Sequence, residues 1–494
     1  MNKLFYGDNL DVMRRKIKDE SVDLCYIDPP FNSKRNYFQI YNNQGSEDPA
    51  LAQAFVDTWE WGDEAEIGFA WIVDVKQLQK GNLTEQTTEL IKGLEKVLKR
   101  GALLAYLIHM TLRIVEIHRV LKSNGSFYLH CDPTASHYLK LVLDAVFCGQ
   151  GGNYVNEIAW CYASGGVSKK WFAKKHDVIF YYTKSNDRTF NQQFRPYSDG
   201  TIQRGLTQYK KNLNENYTLK AEGAAMSDWW PDLTPLLSPT MKERLGYPTQ
   251  KPESLLERII KTSTNEGDIV LDAYCGCGTT VAVAQRLNRR WIGIDITYQS
   301  IALILKRLSD RYIESWPEVE ASILLDGVPR DMNSARALAN RKDDKTRKEF
   351  EKWAVLTYSK NQARINDKKG ADAGIDGIAY FLIDKDKNGK AIFQVKSGGA
   401  NRSTLATLNS DRQREKAEFG FLLTMDTPSK AMRDEIGAVG KYKHPMLNRE
   451  DDRIQIVTVS DILDGKRLDL PMARLDSLRS AQPFEAGGSQ SVLI

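Results

Sequence analysis

The amino-acid sequence predicts an α/β protein in which a mostly parallel sheet is followed by a smaller α/β domain. Two stretches indicate the first sheet. Near the start, the apolar strands KLFYGDN and VDLCYIDPP flank the helical pattern LDVMRRKIKDES, and later DIVLDAYCGCGTTVAVAQRLNRRWIGIDI reads as strand, glycine turn, helix and strand. A new helix, TRKEFEKWAVLTY, then opens a second α/β pattern. Repeated βα units predict ligands at the carboxyl ends of the strands.

Changes in composition divide the chain into four parts. We expect one domain over residues 1–315, a connector over 316–342, a second domain over 343–470 and a tail over 471–494. Within the first domain, residues 186–246 are polar, rich in Asn, Gln, Tyr and Arg, and weakly periodic. This composition fits a solvated loop as well as a recognition segment.

The bulk properties limit the class of protein. The 494 residues carry a net charge of +5, which permits a nucleic-acid partner without requiring one. The sequence shows neither a signal peptide nor an apolar run long enough to cross a membrane, which predicts a cytoplasmic protein. None of the six cysteines has the spacing of a zinc site, so we expect reduced, structural thiols.

The stretch LDAYCGCGTT is the first candidate for binding chemistry. A strand ends at Asp272 and passes through Gly276 and Gly278 into a helix, and glycines allow backbone N–H groups to approach a ligand. Asp295 closes the next strand, where a carboxylate can bind ribose hydroxyls. A nicotinamide site would carry a third glycine where Val281 stands. The stretch alone therefore fits either a nucleoside site or a plain strand–helix turn.

The second candidate is DPPF, which follows the buried strand VDLCYI. Asp28 emerges at the ligand edge of the sheet, and Pro29 and Pro30 fix the backbone and leave carbonyl acceptors free. The Asp28 carboxylate and the Pro29 carbonyl could bind the hydrogens of an exocyclic base amine and turn its lone pair toward an electrophilic methyl group. Phe31 could stack on a flipped base. An ordinary proline turn is the alternative interpretation.

Taken together, these motifs resemble the amino-group DNA methyltransferases of the permuted (β) order, over about residues 1–312. DPPF matches the catalytic motif, RVLKSNGSFYLH the strand region behind it, YPTQKPESLLERII the segment before the cofactor loop, and LDAYCGCGTT the S-adenosylmethionine loop. Cys277 stands where serine is common, and Phe31 replaces the commoner tyrosine. The resemblance implies a Rossmann-like sheet that binds S-adenosylmethionine and double-stranded DNA, with residues 186–246 as the target-recognition region.

The same resemblance assigns roles residue by residue. It implies that Asp28, Pro29, Pro30 and Phe31 are catalytic, with Lys251 and Pro252 at the methionine end of the cofactor. Asp8 matches an acid near the adenine or the target base. The full set that we expect at the cofactor is Asp8, Lys251, Pro252, Asp272, Tyr274, Cys275, Gly276, Gly278, Thr279 and Asp295. An aspartate opening the catalytic motif is typical of enzymes that methylate adenine N6, and serine is typical of cytosine N4 enzymes.

The second domain contains a predicted β-hairpin over residues 370–399, with strands near 375–383 and 391–397. If its turn centres near residue 386, Asp376 lies opposite Gln394 to Lys396, and Glu351 could add an oxygen from the preceding helix. That set could hold Mg²⁺ on Asp376, with Lys396 orienting water. A tight turn at Asn388–Gly389 would instead separate Asp376 from Lys396. A hairpin whose polar side chains only face water is the other alternative.

This D…QxK pattern resembles the Mrr-like branch of the PD-(D/E)xK restriction nucleases over about residues 343–470. The leading hypothesis is therefore an adenine-N6 DNA methyltransferase fused to a Mg²⁺-dependent nuclease of restriction-modification or phage defence. One alternative is a cytosine-N4 enzyme whose second domain only binds DNA. Another is a regulatory protein that binds a nucleotide without chemistry. The sequence leaves the recognition site open, and leaves the choice between monomer and homodimer open.

Overall fold

The computed structural model describes residues 1–30, 35–43, 46–57, 59–81, 83–131, 134–162, 169–206, 219–236, 243–245, 247, 249–340, 344–366, 374–383 and 388–471. The first thirteen strands are β1 (Asn2–Tyr6), β2 (Val22–Ile27), β3 (Arg35–Asn43), β4 (Ser46–Asp57), β5 (Leu121–Cys131), β6 (Asn153–Cys161), β7 (His176–Thr183), β8 (Phe194–Arg195), β9 (Ala224–Ala225), β10 (Trp229–Trp230), β11 (Ile269–Asp272), β12 (Arg290–Asp295) and β13 (Ile323–Asp326). The remaining strands are β14 (Arg364–Ile365), β15 (Gly377–Leu382), β16 (Asn388–Lys396), β17 (Phe419–Thr424), β18 (Lys441–Lys443), β19 (Glu450–Asp452) and β20 (Ile454–Thr458).

The helices complete both α/β patterns. Those before the second domain are α1 (Asn9–Lys16), α2 (Asp63–Val73), α3 (Val75–Gln79), α4 (Glu85–Leu98), α5 (Ala102–Val120), α6 (Ser136–Val146), α7 (Asp199–Leu206), α8 (Glu253–Ser263), α9 (Thr279–Arg286), α10 (Tyr298–Arg311), α11 (Trp316–Ala321) and α12 (Met332–Ala339). Those of the second domain are α13 (Asp344–Tyr358), α14 (Arg402–Arg414), α15 (Lys430–Val439) and α16 (Val459–Leu463).

The large sheet has nine strands among the described residues, in the order β10-β6-β7-β5-β2-β11-β12-β1-β13. The run from β5 to β13 is parallel, and β7 is antiparallel to both of its neighbours. Because side chains alternate across a strand, β2 feeds two cores: Leu24 and Tyr26 enter one, and Cys25 and Ile27 the other. Helices covering both faces account for the continuous apolar sequence of these strands.

Helix α5 is almost wholly enclosed by the second of these cores. Fifteen of its 19 residues are buried, which explains why its sequence is apolar on all sides. Across the described part of the chain, no helix combines the length and apolarity that a bilayer span requires.

The connector predicted over 316–342 does more than join the two domains. Strand β13 within it pairs in parallel with β1, so Asn2 lies beside Ile323, and it forms the edge of the large sheet. Helix α12 follows and packs against α13. A strand of four residues, three half-buried and one exposed, carries too weak an apolar signal to be found in the sequence.

The second domain has a five-stranded sheet in the order β14-β15-β16-β17-β20, with β15 and β16 antiparallel and β16, β17 and β20 parallel. Its helix α13 packs directly on α10 of the first domain. The Tyr298 backbone N–H donates to Glu349 Oε2 at 2.8 Å, and the Tyr298 hydroxyl lies 2.9 Å from Thr357 Oγ1. One apolar core cluster contains residues of both domains, from Leu4 to Leu470. The two domains are therefore docked through a common core.

Candidate active sites

The carboxyl edge of the large sheet collects the acidic residues that the sequence singled out. Asp28 follows β2, Asp272 ends the neighbouring β11, and Asp295 ends β12 beyond it. Strand β1 lies next, and its Tyr6 pairs with Asp295. The parallel register thus brings together segments that are hundreds of residues apart in the chain, as the βα pattern predicted.

The conformation of the glycine loop depends on residues that lack a side chain. Gly276 and Gly278 adopt positive φ angles of +47° and +74°. A Cβ atom on Gly278 would lie 2.6 Å from Ile304 Cγ1, so only glycine fits there. Asp295 secures the loop, because its Oδ2 accepts from the Gly276 backbone N–H at 2.9 Å and its Oδ1 accepts from that of Thr297 at 2.9 Å. The loop therefore places half-buried Gly276 beside an anchored carboxylate.

Two carboxyl groups in this pocket have raised pKa values. Burial raises the pKa of Asp272 to about 7 and that of Asp295 to about 6. Asp272 Oδ1 accepts from the Tyr274 backbone N–H at 3.0 Å. Buried carboxylates gain from any added donor, and ribose hydroxyl groups are such donors. The acids and the glycine backbone thus fit a nucleoside.

Other residues of the expected cofactor set have roles in packing. The Cys275 thiol is buried in the core, and its backbone N–H donates to Ile294. The Thr279 hydroxyl accepts from Arg307 Nη1 at 3.2 Å, and that guanidinium also donates to Glu253 Oε1 at 2.7 Å. Arg307 is 1% exposed, so it acts as an internal tie between the glycine loop and the start of α8.

Asp28 forms an ion pair that the sequence did not predict. Lys251 Nζ contacts Asp28 Oδ2, and it lies 3.3 Å from the Thr249 carbonyl oxygen. Asp28 Oδ1 is buried and has no hydrogen-bond partner among the described residues. Pro29 is buried and Pro30 half-buried beside it, whereas Phe31 lies outside the described part of the chain. Lys251 thus neutralises Oδ2, whereas Oδ1 is a buried acceptor with no donor among the described residues.

Asp8 lies at the same edge, where it caps α1 and pairs with an arginine. Its Oδ1 accepts from the Asp11 backbone N–H at 3.1 Å, and its Oδ2 accepts from Arg113 at 2.8 Å. Arg113 also donates to Asn9 Oδ1 at 2.7 Å, and Asn9 donates to the Ala273 carbonyl at 2.8 Å. This chain braces the loop after β11 from α5.

His109, one turn before Arg113 on α5, lies 2.9 Å from the Tyr274 hydroxyl through its Nε2. Sequence reasoning missed both side chains. The available signal was a histidine and an arginine four residues apart in the mainly apolar first part of the helix, a spacing that places both on one face.

A buried polar chain runs beside the carboxyl edge of the large sheet. The Tyr26 hydroxyl lies 3.0 Å from His130 Nδ1, and His130 Nε2 lies 3.2 Å from Asp177 Oδ2. Tyr26 belongs to β2, two residues before Asp28, while Asp177 belongs to β7. Burial, followed by the charge of Asp28, raises the pKa of Tyr26 well above its ordinary value. The start of β7 is therefore tied to the strand that carries Asp28.

In the second domain, the hairpin has the expected register. Gly377 pairs with Phe393 and Leu382 with Asn388, which places Asp376 at the level of Gln394. Asn388 and Gly389 therefore lie in β16 and form no tight turn. Gly389 has another role, since a Cβ there would lie 2.3 Å from the Phe381 ring.

Asp376 occupies an environment unlike that of a solvated loop acid. Burial is the main cause that raises its pKa to about 7, and the negative charge of Glu351 adds to the rise. The positive charge of Lys396 acts in the opposite direction. Its Oδ2 accepts from the Val395 backbone N–H at 2.6 Å. Gln394 is 3% exposed, and its Oε1 has no partner among the described residues. These oxygens suit a hard divalent cation.

The acids here are fewer than in many metal centres. Within the described ranges, no group of three or more His, Cys, Asp or Glu residues could hold a metal ion. That result agrees with the presence of Gln394 where a second acid would stand, and it leaves Asp376, Glu351 and the Gln394 carbonyl oxygen as the available ligands.

Comparison with known proteins gives the family to which this α/β chain belongs. The DNA methylase model for N6 and N4 methyltransferases matches residues 22–306, and the chain belongs to that family. A restriction endonuclease model matches residues 343–447, so a restriction endonuclease-like domain follows the methyltransferase.

Individual relatives align with the methyltransferase part. The DNA adenine methyltransferase YhdJ of Escherichia coli K12 is 29% identical over 308 residues, which cover 62% of this chain and 82% of the relative. Type II methyltransferase M2.DpnII of Streptococcus pneumoniae is 32% identical over 319 residues, which cover 62% of this chain and 93% of the relative. Among solved structures, the M1.HpyAVI–SAM complex is 18% identical with a TM-score of 0.33, covering 62% of this chain and 98% of that one. The cytosine-N4-specific PvuII DNA methyltransferase is 15% identical with a TM-score of 0.35, and the match covers 62% of this chain and 85% of that one.

Proposed function

We propose that the first domain transfers a methyl group from S-adenosylmethionine to N6 of a flipped adenine in double-stranded DNA. The observation that carries this proposal is the position of Asp28 Oδ1. This buried acceptor has no donor among the described residues, and it lies next to Pro29 at the carboxyl edge of the sheet. The name of the Escherichia coli relative and the aspartate that opens the catalytic motif support adenine. The second candidate is cytosine N4, since both amines present the same geometry to Asp28.

The residues of the site have separable tasks in this proposal. Bound S-adenosylmethionine supplies an electrophilic methyl group on a sulfonium centre. Asp28 Oδ1 and the Pro29 carbonyl accept the two amine hydrogens, which turns the nitrogen lone pair toward the methyl group, and Phe31 stacks on the base. Lys251 neutralises the second oxygen of Asp28 before the base arrives.

The cofactor is held by groups on the next two strands. Asp295 binds the ribose hydroxyls, and the backbone at Gly276 and Gly278 allows the ligand to approach closely. Asp272 and Tyr274 line the pocket, and Pro252 lies toward the methionine end. Residues 186–246 read the DNA sequence, and the pairing of Trp229–Trp230 with β6 attaches that region to the large sheet.

Nucleoside analysis tests the choice of base. DNA methylated in vitro is digested to nucleosides and examined by mass spectrometry, and we expect N6-methyl-deoxyadenosine. Detection of N4-methyl-deoxycytidine alone would overturn adenine while leaving the roles of Asp28 and Asp295 standing. Absence of both products would contradict the methyltransferase proposal itself.

We also propose that the second domain is a Mg²⁺-dependent DNA nuclease. The observation that carries it is the hairpin register, which sets Asp376 beside Gln394 on the strand that ends at Lys396. Mg²⁺ would supply charge stabilisation at the scissile phosphate, held by Asp376, Glu351 and the Gln394 carbonyl oxygen. Lys396 orients the attacking water. A domain that only binds DNA is the alternative.

Plasmid cleavage in Mg²⁺ separates the two candidates. We expect nicking by the full-length protein, loss of nicking in Lys396→Ala and unchanged nicking in the control Lys443→Ala, an exposed lysine on β18. Nicking that persists undiminished in Lys396→Ala would contradict the assignment. DNA binding without nicking in the unmodified protein would favour the binding-only alternative.

A further inference from the structure

A basic and aromatic loop, residues 169–175, leads into β7. Residues 162–175 contain four lysines and no acidic residue, and residues 169–176 read KKWFAKKH. Phe172 is 100% exposed, the most exposed large apolar side chain in the described part of the chain, and Trp171 beside it is 68% exposed. Exposed apolar side chains are common singly, but two adjacent rings among four lysines indicate a binding surface for a polyanion.

The loop rises from the same edge of the sheet as the catalytic motif. Cys161 pairs with His176 at the base of the hairpin, and Val178 pairs with Cys131, the last residue of β5. Because β5 and β2 are parallel neighbours, this base lies level with the carboxyl end of β2. The polar chain from Asp177 through His130 to Tyr26 secures that position.

Extraction of a base from a duplex has a cost that a side chain can offset. Unstacking and unpairing the target cost a few kcal/mol, and apolar side chains that insert between bases recover part of the lost stacking. A ring that serves this purpose must project into solvent in the free enzyme, on the edge of the sheet that carries the catalytic acid and among cations that bind phosphates. Phe172 is fully exposed, has two lysines on either side in the sequence, and belongs to a loop at that edge.

We propose that Phe172 inserts into the base stack of double-stranded DNA and stabilises the duplex with its target base flipped out, while the lysines around it bind backbone phosphates. The proposal rests on the methyltransferase activity proposed above. It makes Phe172 a positioning residue whose contribution depends on how strongly the target base is held in the duplex.

The test compares two duplexes that carry the recognition sequence, which is first read by sequencing methylated host DNA. One duplex is fully paired, and the other has an abasic site opposite the target base, which weakens its pairing. Base–aromatic stacking contributes about 1–3 kcal/mol, so we expect Phe172→Ala to lower kcat/KM on the paired duplex by roughly 5- to 150-fold. On the abasic duplex, kcat/KM should stay within about twofold of the unmodified enzyme.

Three further variants sharpen the result. Phe172→Leu retains an apolar side chain and should recover part of the loss. Tyr154→Ala removes an exposed aromatic residue from the opposite end of the same hairpin and should leave kcat/KM unchanged on both duplexes. The double variant Lys169→Gln/Lys174→Gln should lower the salt dependence of DNA binding. It should not change the ratio of kcat/KM between the paired and the abasic duplex.

An independent readout is the fluorescence of 2-aminopurine at the target position, which should rise on binding of the unmodified enzyme and stay low with Phe172→Ala. An equal loss of kcat/KM on both duplexes, or no loss on the paired one, would overturn the insertion role. An unmodified enzyme that methylates neither duplex would contradict the activity itself, and the insertion proposal with it.

Discussion

The pairing of Asp28 with Lys251 allows catalysis and stability to be separated by mutation. In Asp28→Ala, the Lys251 side chain, which is 8% exposed, would lose the carboxylate that it contacts, although the Thr249 carbonyl and the charge of Asp177 would remain. Breaking a buried ion pair by removing one partner costs about 3–5 kcal/mol, and since the Asp28 side chain is 17% exposed we expect the lower end of that range. The double variant Asp28→Ala/Lys251→Met also removes the buried positive charge and should recover most of this loss of unfolding free energy.

Methyl transfer should respond differently. Loss of a preorganised acceptor lowers kcat by about 10²–10³-fold, and this loss should be the same in the single and double variants. Denaturant unfolding measures the stability, single-turnover methylation measures the chemistry, and titration with S-adenosylmethionine should show that Asp28→Ala still binds the cofactor. If the double variant is as unstable as Asp28→Ala, the ion pair does not govern stability. Turnover within a few-fold of the unmodified enzyme would refute the catalytic role of Asp28.

Three more predictions concern the two ligand sites. Gly278→Ala places Cβ 2.6 Å from the Ile304 side chain in a backbone with positive φ, so calorimetry should show cofactor affinity lowered at least about tenfold, with DNA affinity unchanged. Because burial raises the pKa of Asp295 to about 6 and ribose hydroxyls bind its ionised form, cofactor affinity should fall as the pH drops through 6. Asp295→Asn should bind more weakly and lose this pH dependence; an unchanged pH profile in that variant would assign the titration to another group. Asp376 has a pKa of about 7, and since a proton on it competes with Mg²⁺, the thermal stabilisation by Mg²⁺ should grow from pH 6 to pH 8 and vanish in Asp376→Asn. Equal stabilisation at both pH values would argue against Asp376 as a ligand.

The sequence predicted those features of the fold and sites that depend on local pattern. The glycine loop and Asp28 each follow an apolar strand directly, so the rule that parallel strands end at one edge was enough to bring them together. The hairpin register followed from the length of a single turn, and it places Asp376 beside Gln394 as expected.

Features that depend on contacts between distant segments could not be predicted in this way. Lys251 lies 223 residues from Asp28 in the chain, and nothing in either segment indicates that they pair. Arg113 looks like an interruption of an apolar helix until the fold places it against Asp8. Strand β13 is too short to be distinguished from the connector that contains it.

The common core of the two domains has a consequence for where DNA would be cut. Helix α10 begins at Tyr298, three residues after Asp295, and that tyrosine is hydrogen-bonded to Glu349 and Thr357 of α13. A nuclease on a flexible tether would reach many phosphates and scatter its products along the DNA. A nuclease docked through packed side chains is carried at a fixed offset from the bound recognition sequence. Cleavage by this protein should therefore leave ends of uniform length, measured from the methylated base.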